Sequence, residues 1–328
     1  MTIYDIAKEA GVSASTVSRV INKKGNVKSA TRAKVETLLK RYHYAPDAGA
    51  RALVSGASKT VGILISDIRT MHHTDGIHYL EGELAKLGYC CIIMNTGSSE
   101  KSKAEYIKKL SARRVEGTVL IGSTFQTDLV KRTIEEYMNN IPVVILNGAL
   151  DLPNVYGIIA DERGGVRNLV NLMAERGKKH IAFVNGRATP SNTFKQEGYE
   201  DGMRLYLPDT ECIAISGGPD MDDAKAATTA LLTQHPKIDG IIYAVDLLAV
   251  GGLEALREKK LRVPEDVAVA GVDNSAYSRI CQPKLTSLDN KLLDLSIAVA
   301  QTLISALEGK YVTQRIMIFS SIVERETT

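Results

Sequence analysis

The chain has 328 residues, of which 44% are hydrophobic and 24% are charged, and its formal net charge is +3. This length suits two or three domains, and the composition is typical of a globular protein. No apolar run approaches the roughly 18 to 20 residues that cross a bilayer. The first residues, MTIYDIAKEAG, lack the apolar core of a secretory signal. We therefore exclude membrane-spanning and secreted classes and expect a cytoplasmic protein with no membrane partner.

Charge is distributed unevenly along the chain. The first 60 residues contain 11 Lys and Arg against 4 Asp and Glu, whereas the remainder contains 30 against 34. Such asymmetry is typical of a nucleic-acid-binding segment joined to a neutral or acidic body. Charge alone leaves a solvated basic surface equally open.

The four cysteines lack the CxxC spacing of metal sites; they are Cys90, Cys91, Cys212 and Cys281. Cys90 and Cys91 are neighbours inside an apolar run that resembles a strand. This arrangement predicts free, buried thiols rather than disulfides or metal ligands.

The first elements in chain order are three short helices. Thr2 and Asp5 have the spacing of a capping box, and Gly11 follows as a residue that ends a helix at little cost. Ser13 is placed to cap a second helix, and a third begins near Ser29. Two helices joined by a tight turn that contains Gly, followed by a third, predict a helix-turn-helix.

The second helix has one face of small polar residues. Val17, Val20 and Ile21 would face the core, and the opposite face carries Ala14, Ser15, Ser18, Arg19 and Asn22. Short side chains let the backbone approach phosphates, and Arg19 has the reach for a bidentate contact to guanine. The pattern favours a recognition helix in the major groove over a generic helical hairpin with a polar surface.

The stretch TIYDIAKEAGVSASTVSRVIN, followed by VKSATRAKVETLLKRYHYAPDAGARALVSG, resembles the head of the LacI/GalR (lactose-repressor/galactose-repressor) family of bacterial transcription regulators. The resemblance implies a helix-turn-helix domain over residues 1–46 and a hinge helix over residues 47–58. In the family, the two hinge helices of a homodimer enter the minor groove, and a Leu from each wedges a base step. The matching residue is Leu53, and Ala50 matches the small residue at which the hinge helices approach each other.

The family resemblance and the helix pattern together indicate contacts from the whole head to a near-palindromic duplex operator. The expected DNA-contacting residues are Tyr4, Ser13, Ala14, Ser15, Thr16, Ser18, Arg19, Asn22, Thr31, Tyr44, Ala50 and Leu53. Asp47 departs from the family pattern, in which Asn usually faces phosphate.

From residue 60 onward, apolar β-branched runs alternate with amphipathic stretches of helical length. The strand candidates are residues 60–66, 90–96, 117–123, 142–147, 156–161, 180–186, 212–217, 240–245 and 267–273. Such runs are typical of parallel strands that are covered on both faces, and the alternation predicts doubly wound α/β layers. Nine strands exceed what one lobe needs, so we infer two lobes.

This region, residues 59–328, resembles the periplasmic-binding-protein-like sensor domain of the same family. The resemblance implies crossings between lobes near residues 158 and 288, and a last one after a helix at 291–308. The first lobe is then about 59–157 plus part of 290–325, and the second is about 158–287. A small effector, a sugar or related metabolite, would bind between the lobes at the carboxyl ends of the strands.

Residues that follow the strands are the candidate effector contacts. They are Asp67, Met71, His72, His73, Ser123, Asn147, Thr189, Ser191, Lys195, Asp246 and Asp273. Asp273, in GVDN, matches the family Asp that accepts hydrogen bonds from effectors. For any one of these residues the alternative is a helix cap at a strand–helix turn, above all for Asp246.

The candidate pocket departs from the family pattern. Lys195 stands where an Arg usually grips the effector, and His72 and His73 replace a pair that is commonly aromatic. Pro219 lies near the position where many members stack an aromatic ring. These departures make a purine effector doubtful and leave either an unusual ligand or a partner protein open.

The stretch MHHTDGIH also suggests a metal site built from His72, His73, His78 and Asp75. Adjacent His residues point apart, and the spacing of 73 and 78 is not that of one helix face, so we favour polar pocket lining or surface packing. We expect no metal and no cofactor.

Two other classes of protein fit the sequence less well. An enzyme is disfavoured because the chain has no GxGxxG after a strand, no GxxxxGK[ST] and no GxSxG. A sugar transport protein would need a signal peptide and would have no basic head. The family resemblance therefore implies a homodimeric, ligand-responsive transcription regulator, expected to be a repressor, and we expect that it is not an enzyme.

Overall fold

The computed structural model describes residues 2–22, 25–44 and 58–328. Internal contacts divide the chain into two units, residues 1–59 and 60–328, here called the head and the body. The expected hinge residues Ala50 and Leu53, like Asp47, lie outside the described residues. None of the described helices is long and apolar enough to cross a membrane.

The head contains three helices around a small core: α1 (Ile3–Ala10), α2 (Ala14–Ile21) and α3 (Ser29–Arg41). The predicted capping box is present, since Thr2 N donates to Asp5 Oδ2 at 2.7 Å and Asp5 N donates to Thr2 Oγ1 at 3.3 Å. Gly11 ends α1 with a φ of +70°. The buried side chains are Ile6, Ala7, Ala10, Val17, Val20, Val35 and Leu38.

The first sheet of the body has six parallel strands in the order β11-β5-β4-β3-β1-β2. Its strands are β1 (Thr60–Ile65), β2 (Cys90–Asn95), β3 (Gly117–Ile121), β4 (Val143–Leu146), β5 (Val155–Ala160) and β11 (Arg315–Ile318). One face packs on α4 (Met71–Lys86) and α12 (Leu292–Leu307), and the other packs on α5 (Glu100–Ser111) and α6 (Asp128–Tyr137).

The second sheet has the order β12-β10-β9-β8-β6-β7, in which only β12 runs antiparallel among the described strands. Its strands are β6 (Ile181–Asn185), β7 (Ile213–Ser216), β8 (Gly240–Tyr243), β9 (Ala268–Val272), β10 (Thr286–Asp289) and β12 (Ser321–Val323). Its helices are α7 (Glu162–Glu175) and α8 (Pro190–Tyr206) on one face, and α9 (Met221–Gln234) and α10 (Asp246–Glu258) on the other. A short helix, α11 (Ala276–Ile280), follows β9.

The lobe boundaries differ in detail from the expectation. Strand β5 continues to Ala160 in the first sheet, so the first crossing follows residue 160 rather than 158. Strand β10 reaches Asp289, and the last segment divides, since β11 joins the first sheet and β12 the second. The three strands that the sequence did not predict have three or four residues each, too few for a periodic signal.

The expectation of buried thiols is wrong, although all four cysteines are free. Cys90 and Cys212 are exposed, and Cys91 and Cys281 are partly exposed. The reason is topological for the first pair: β2 is an edge strand, and Cys212 directly precedes β7, the edge strand of the other sheet. Edge strands are covered less completely than the central strands β1 and β3.

Candidate functional site

The head presents the N-terminus of α2 to solvent. The hydroxyls there bond to one another: Ser13 Oγ lies 2.8 Å from Ser15 Oγ and 2.9 Å from Thr16 Oγ1. Thr16 N also donates to Ser13 Oγ, so Ser13 caps the helix as predicted. This end of α2 is therefore compact and rich in hydroxyls and backbone N–H groups, which suits contact with phosphates.

Arg19 extends from the same face and is exposed. Its guanidinium has no hydrogen-bond or ion-pair partner among the residues that the structure describes. Asn22 is instead engaged locally, since its Nδ2 donates to the Ser18 carbonyl at 2.9 Å. Ala14 packs partly on the head core, and Tyr4 is 73% exposed. Arg19 and Tyr4 are thus the long side chains of this region that remain available to a ligand.

A cleft of about 800 Å³ lies in the body and is lined by residues of both lobes. All eleven residues expected from the strand ends line it. The parallel strands of both sheets direct their carboxyl ends here, which is where open α/β sheets place ligands. The eleven differ, however, in how far their polar atoms are already engaged by the protein.

Four of the expected residues are held by neighbours. Both Asp67 carboxylate oxygens accept hydrogen bonds from Arg69, at 3.0 and 2.8 Å, and these bonds lower the pKa of Asp67 to about 2. Asn147 Oδ1 accepts from Ala160 N, and Thr189 Oγ1 caps α8. Asp246 accepts from Ser275 N, Ser275 Oγ and Ser287 Oγ. Of these four, only Thr189 has the helix-cap role that the sequence analysis gave as the alternative; Asp67, Asn147 and Asp246 bond to other groups and cap no described helix.

Asp246 is the first residue of α10 rather than its cap, which is Val245. Burial raises the pKa of Asp246 to about 7, and repulsion from the Asp273 carboxylate adds to this effect. The three hydrogen bonds oppose the shift without cancelling it. Asp246 therefore holds the segment after β9 in place behind the cleft.

A buried ion pair forms the floor of the cleft in the second lobe. Lys195 Nζ lies 3.3 Å from Glu162 Oε1 and donates to the Ala244 carbonyl at 3.0 Å. Burial alone would lower the pKa of Lys195, but attraction to Glu162 and Asp273 outweighs it and raises the pKa. Ser191 Oγ donates to the same Glu162 oxygen at 2.8 Å. Lys195 therefore stays charged beside Asp273.

Asp273, which directly follows β9 in the second lobe, faces a residue of the first lobe across the cleft. Its backbone has a φ of +101°, and its Oδ1 accepts from Asn290 Nδ2 at 3.3 Å. Burial raises the pKa of Asp273, against the opposing effects of Lys195 and Asn290. His72, on α4 of the first lobe, has its Nδ1 at 3.7 Å from Asp273 Oδ1.

Both histidines of the cleft are neutral near pH 7. Burial lowers the pKa of His72 to about 4, and the nearby Lys195 charge adds to this. Burial also lowers the pKa of His73, whose Nδ1 lies 3.0 Å from the Asp67 carbonyl and donates to it. His78 is exposed. Across the described parts of the chain, no cluster of three or more His, Cys, Asp or Glu residues is arranged to hold a metal ion.

The two lobes also contact each other directly through Ser123 and Ser191, since Ser191 N donates to Ser123 Oγ at 3.1 Å. Met71 lies on the cleft wall. The sequence analysis missed several lining residues: Arg69, Lys103, Thr124, Glu162, Arg187 and Asn192. One signal was available for Lys103, because it stands at the i, i+4, i+7 spacing with Ile107 and Leu110, an apolar helix face.

Comparisons with known proteins match both the head and the body. A model described as "Bacterial regulatory proteins, lacI family" matches residues 2–47, and one for a "Periplasmic binding protein-like domain" matches residues 170–328. An HTH-type transcriptional regulator of Lachnoclostridium phytofermentans is 32% identical and covers 100% of this chain and 99% of its own length. The ribose operon repressor of Halalkalibacterium halodurans is 30% identical, and the match covers 100% of this chain and 97% of the repressor.

Solved structures agree over the full length. The Lac repressor bound to ONPG in a repressed state superposes with a TM-score of 0.91 at 25% identity, covering 100% of this chain and 99% of that one. The Lac repressor dimer bound to operator and the anti-inducer ONPF superposes with a TM-score of 0.90 at 25% identity, covering 100% and 98%. Head and body each have their counterpart in these regulators.

Proposed function

Because the chain belongs to the lacI family of bacterial regulatory proteins, we propose that it is a homodimeric transcription repressor whose operator affinity is set by a ligand in the body cleft. The domain division is 1–46 for the DNA-binding head, 47–58 for the hinge and 59–328 for the sensor. The protein acts on DNA in the cytoplasm and catalyses no reaction.

The head would read one operator half-site through α2. The hydroxyls around Ser13 and the free backbone N–H groups suit phosphates, and Arg19 is left unpaired for a base edge. Tyr4, Thr31 and Tyr44 are further expected DNA contacts of the head, and Ala50 and Leu53 are those of the hinge. Two heads from a dimer would require a near-palindromic site, since symmetry of the protein is mirrored in the operator.

The proposal that a ligand regulates the protein rests on the contacts that polar and charged groups make across the cleft. Asp273 faces His72, and Ser191 contacts Ser123, with one partner in each lobe. A ligand that replaces or bridges these contacts binds one arrangement of the lobes better than another. Such differential affinity is what shifts a conformational equilibrium.

A selection of bound duplexes from a random pool, with purified full-length protein, tests the proposal. We expect a near-palindromic site with a central CG step, where two hinge helices wedge the duplex. The selection is repeated in cell extract, which supplies any corepressor. If no sequence is enriched with purified protein or in extract, the proposed function is contradicted. The enriched duplex then serves as the probe for effectors, since a ligand that changes its affinity identifies itself.

A further inference from the structure

The first-lobe wall of the cleft contains a buried cation that forms no ion pair with any described carboxylate. Lys103, on α5, is only 3% exposed, and its Nζ donates to the Thr124 carbonyl at 2.6 Å. The Phe125 ring centroid lies 5.3 Å from the same atom. Among the described residues, no carboxylate oxygen lies within 4.0 Å of Lys103 Nζ. Burial lowers the pKa of this lysine, as expected for a charge without a close counter-ion.

The other buried lysine of the cleft shows what a matched site looks like. Lys195 is also 3% exposed, but it has Glu162 at 3.3 Å and Asp273 nearby. Buried charges in proteins are normally paired in this way, because an unpaired one keeps its full desolvation cost. Lys103 is therefore the exception within a single cavity.

A second polar group beside Lys103 also lacks a partner. Thr124 Oγ1 is buried and makes no hydrogen bond within the described chain, although the carbonyl of the same residue accepts from Lys103. Leaving a buried hydroxyl unsatisfied costs stability, so such groups are commonly explained by a ligand or a functional role. Lys103 and Thr124 both line the cleft.

The charged residues on this wall are balanced in number, with Arg69 and Lys103 against Asp67 and Glu100, but they are not all paired. Glu100 lies one turn earlier on α5 and acts to raise the pKa of Lys103. Burial has the larger effect, so the pKa of Lys103 is lowered overall. Asp67 is already neutralised by Arg69. Arg187, exposed at the cleft from the second lobe, makes no side-chain hydrogen bond or ion pair to any described residue. Lys103 and Arg187 are therefore two cations of the cleft that form no ion pair with any described carboxylate, and both can contact an anion.

We propose that Lys103 Nζ and Thr124 Oγ1 form a subsite for an oxyanion carried by the effector, so that the ligand is a phosphorylated or carboxylated sugar rather than a neutral one. The assignment rests on the proposed function, because it takes the cleft to be the effector site. The ammonium has two further N–H groups and the hydroxyl one O–H to offer, which suits the several acceptor oxygens of a phosphate or carboxylate. A neutral sugar would leave the charge of Lys103 uncompensated.

The test is phosphate-dependent stabilisation of the full-length protein, measured as the shift in Tm with inorganic phosphate against chloride at equal ionic strength. The variants are Lys103→Gln, Thr124→Val and the control Lys101→Gln, an exposed lysine of the same helix. We expect phosphate to raise the Tm of the wild type and of Lys101→Gln, and the shift to vanish in Lys103→Gln. An equal shift in Lys103→Gln, or none in the wild type, overturns the subsite.

Thr124→Val keeps the experiment decisive if Lys103→Gln does not fold. Because the Thr124 hydroxyl makes no hydrogen bond to any described residue, the valine variant should match or exceed the wild-type Tm without phosphate. It should bind phosphate about tenfold more weakly, the loss expected for a hydrogen bond to a charged group. Unchanged phosphate affinity in this variant contradicts the proposal.

Calorimetry with glucose, glucose 6-phosphate and gluconate then shows whether the subsite prefers a phosphate or a carboxylate. If glucose binds more tightly than both glucose 6-phosphate and gluconate, the subsite is contradicted. All of these measurements omit DNA. If phosphate does not stabilise the protein but an operator is enriched, only the subsite is overturned. If no duplex is enriched from the pool, the proposed function is contradicted.

Discussion

His72 and Asp273 face each other across the cleft, with His72 Nδ1 at 3.7 Å from Asp273 Oδ1 and no hydrogen bond between them. The distance falls within the range of an ion pair, but burial lowers the pKa of His72 to about 4. The contact near pH 7 is thus between a neutral imidazole and a carboxyl. Besides Asp273, the charged groups around the imidazole are Lys195, which disfavours protonation, and Glu162 and Asp75, which favour it.

The lowered pKa of His72 predicts a pH-dependent contribution to stability. The unfolded chain takes up this proton near pH 6.5, whereas the folded chain does so only near pH 4. The folded state therefore loses stability as the pH falls from about 6.5 to about 4, by roughly 3 kcal/mol at most. In urea unfolding, the free energy of unfolding of the wild type should fall relative to that of His72→Gln as the pH decreases from about 6.5 to about 4. A difference that is constant between pH 4 and pH 7 would contradict the assignment.

Arg19 should contribute to sequence-specific rather than general DNA binding. Because its guanidinium has no partner among the described residues and lies on the exposed face of α2, we expect Arg19→Ala to cost about 1–3 kcal/mol on the selected operator and little on random duplex. Fluorescence anisotropy on both duplexes measures this. Arg41→Ala is the matched control, since Arg41 is the last residue of α3 and lies 3.7 Å from Glu9. Equal losses on both duplexes for Arg19→Ala would assign it to phosphate.

The Lys195–Glu162 pair should be strongly coupled. Both side chains are 4% exposed, so Glu162→Gln leaves a buried ammonium without its nearest counter-ion. We expect a loss of about 3–5 kcal/mol in the free energy of unfolding, and a similar loss for Lys195→Met. The double variant should lose much less than the sum of the two. Additive losses in denaturant unfolding would show that the pair contributes little.

Two helical glycines should respond in opposite directions to alanine. A Cβ at Gly198, on α8, would lie 2.2 Å from the Arg163 carbonyl oxygen on α7, so Gly198→Ala must separate the helices and cost about 1–3 kcal/mol. A Cβ at Gly82, on α4, meets nothing within 4 Å, so Gly82→Ala should stabilise by roughly 0.5–1 kcal/mol through helix propensity. Thermal unfolding measures both. A tolerated Gly198→Ala would mean that α7 and α8 can move apart freely.

Local features of the sequence determined much of the architecture. The caps at Thr2 and Ser13, the turn at Gly11 and the central apolar strands are decided within a few residues, because hydrogen bonding and side-chain periodicity act over that range. The carboxyl ends of parallel strands meet at one edge of a sheet, so the order of residues along the chain groups those that follow the strands of each sheet. The family resemblance supplied the further expectation that the two edges face one cleft, which all eleven residues line.

Only the tertiary structure decided which of those residues keep free polar atoms. Asp246 accepts hydrogen bonds from Ser275 and Ser287, which lie 29 and 41 residues away, and no local pattern encodes such partners. Strands β10 to β12 depend in the same way on distant pairing. Lys101 and Lys103 differ only by two positions in one helix, yet the packing of α5 on the first sheet exposes one and buries the other without a carboxylate. Long-range packing, rather than residue type, made Lys103 a candidate for binding.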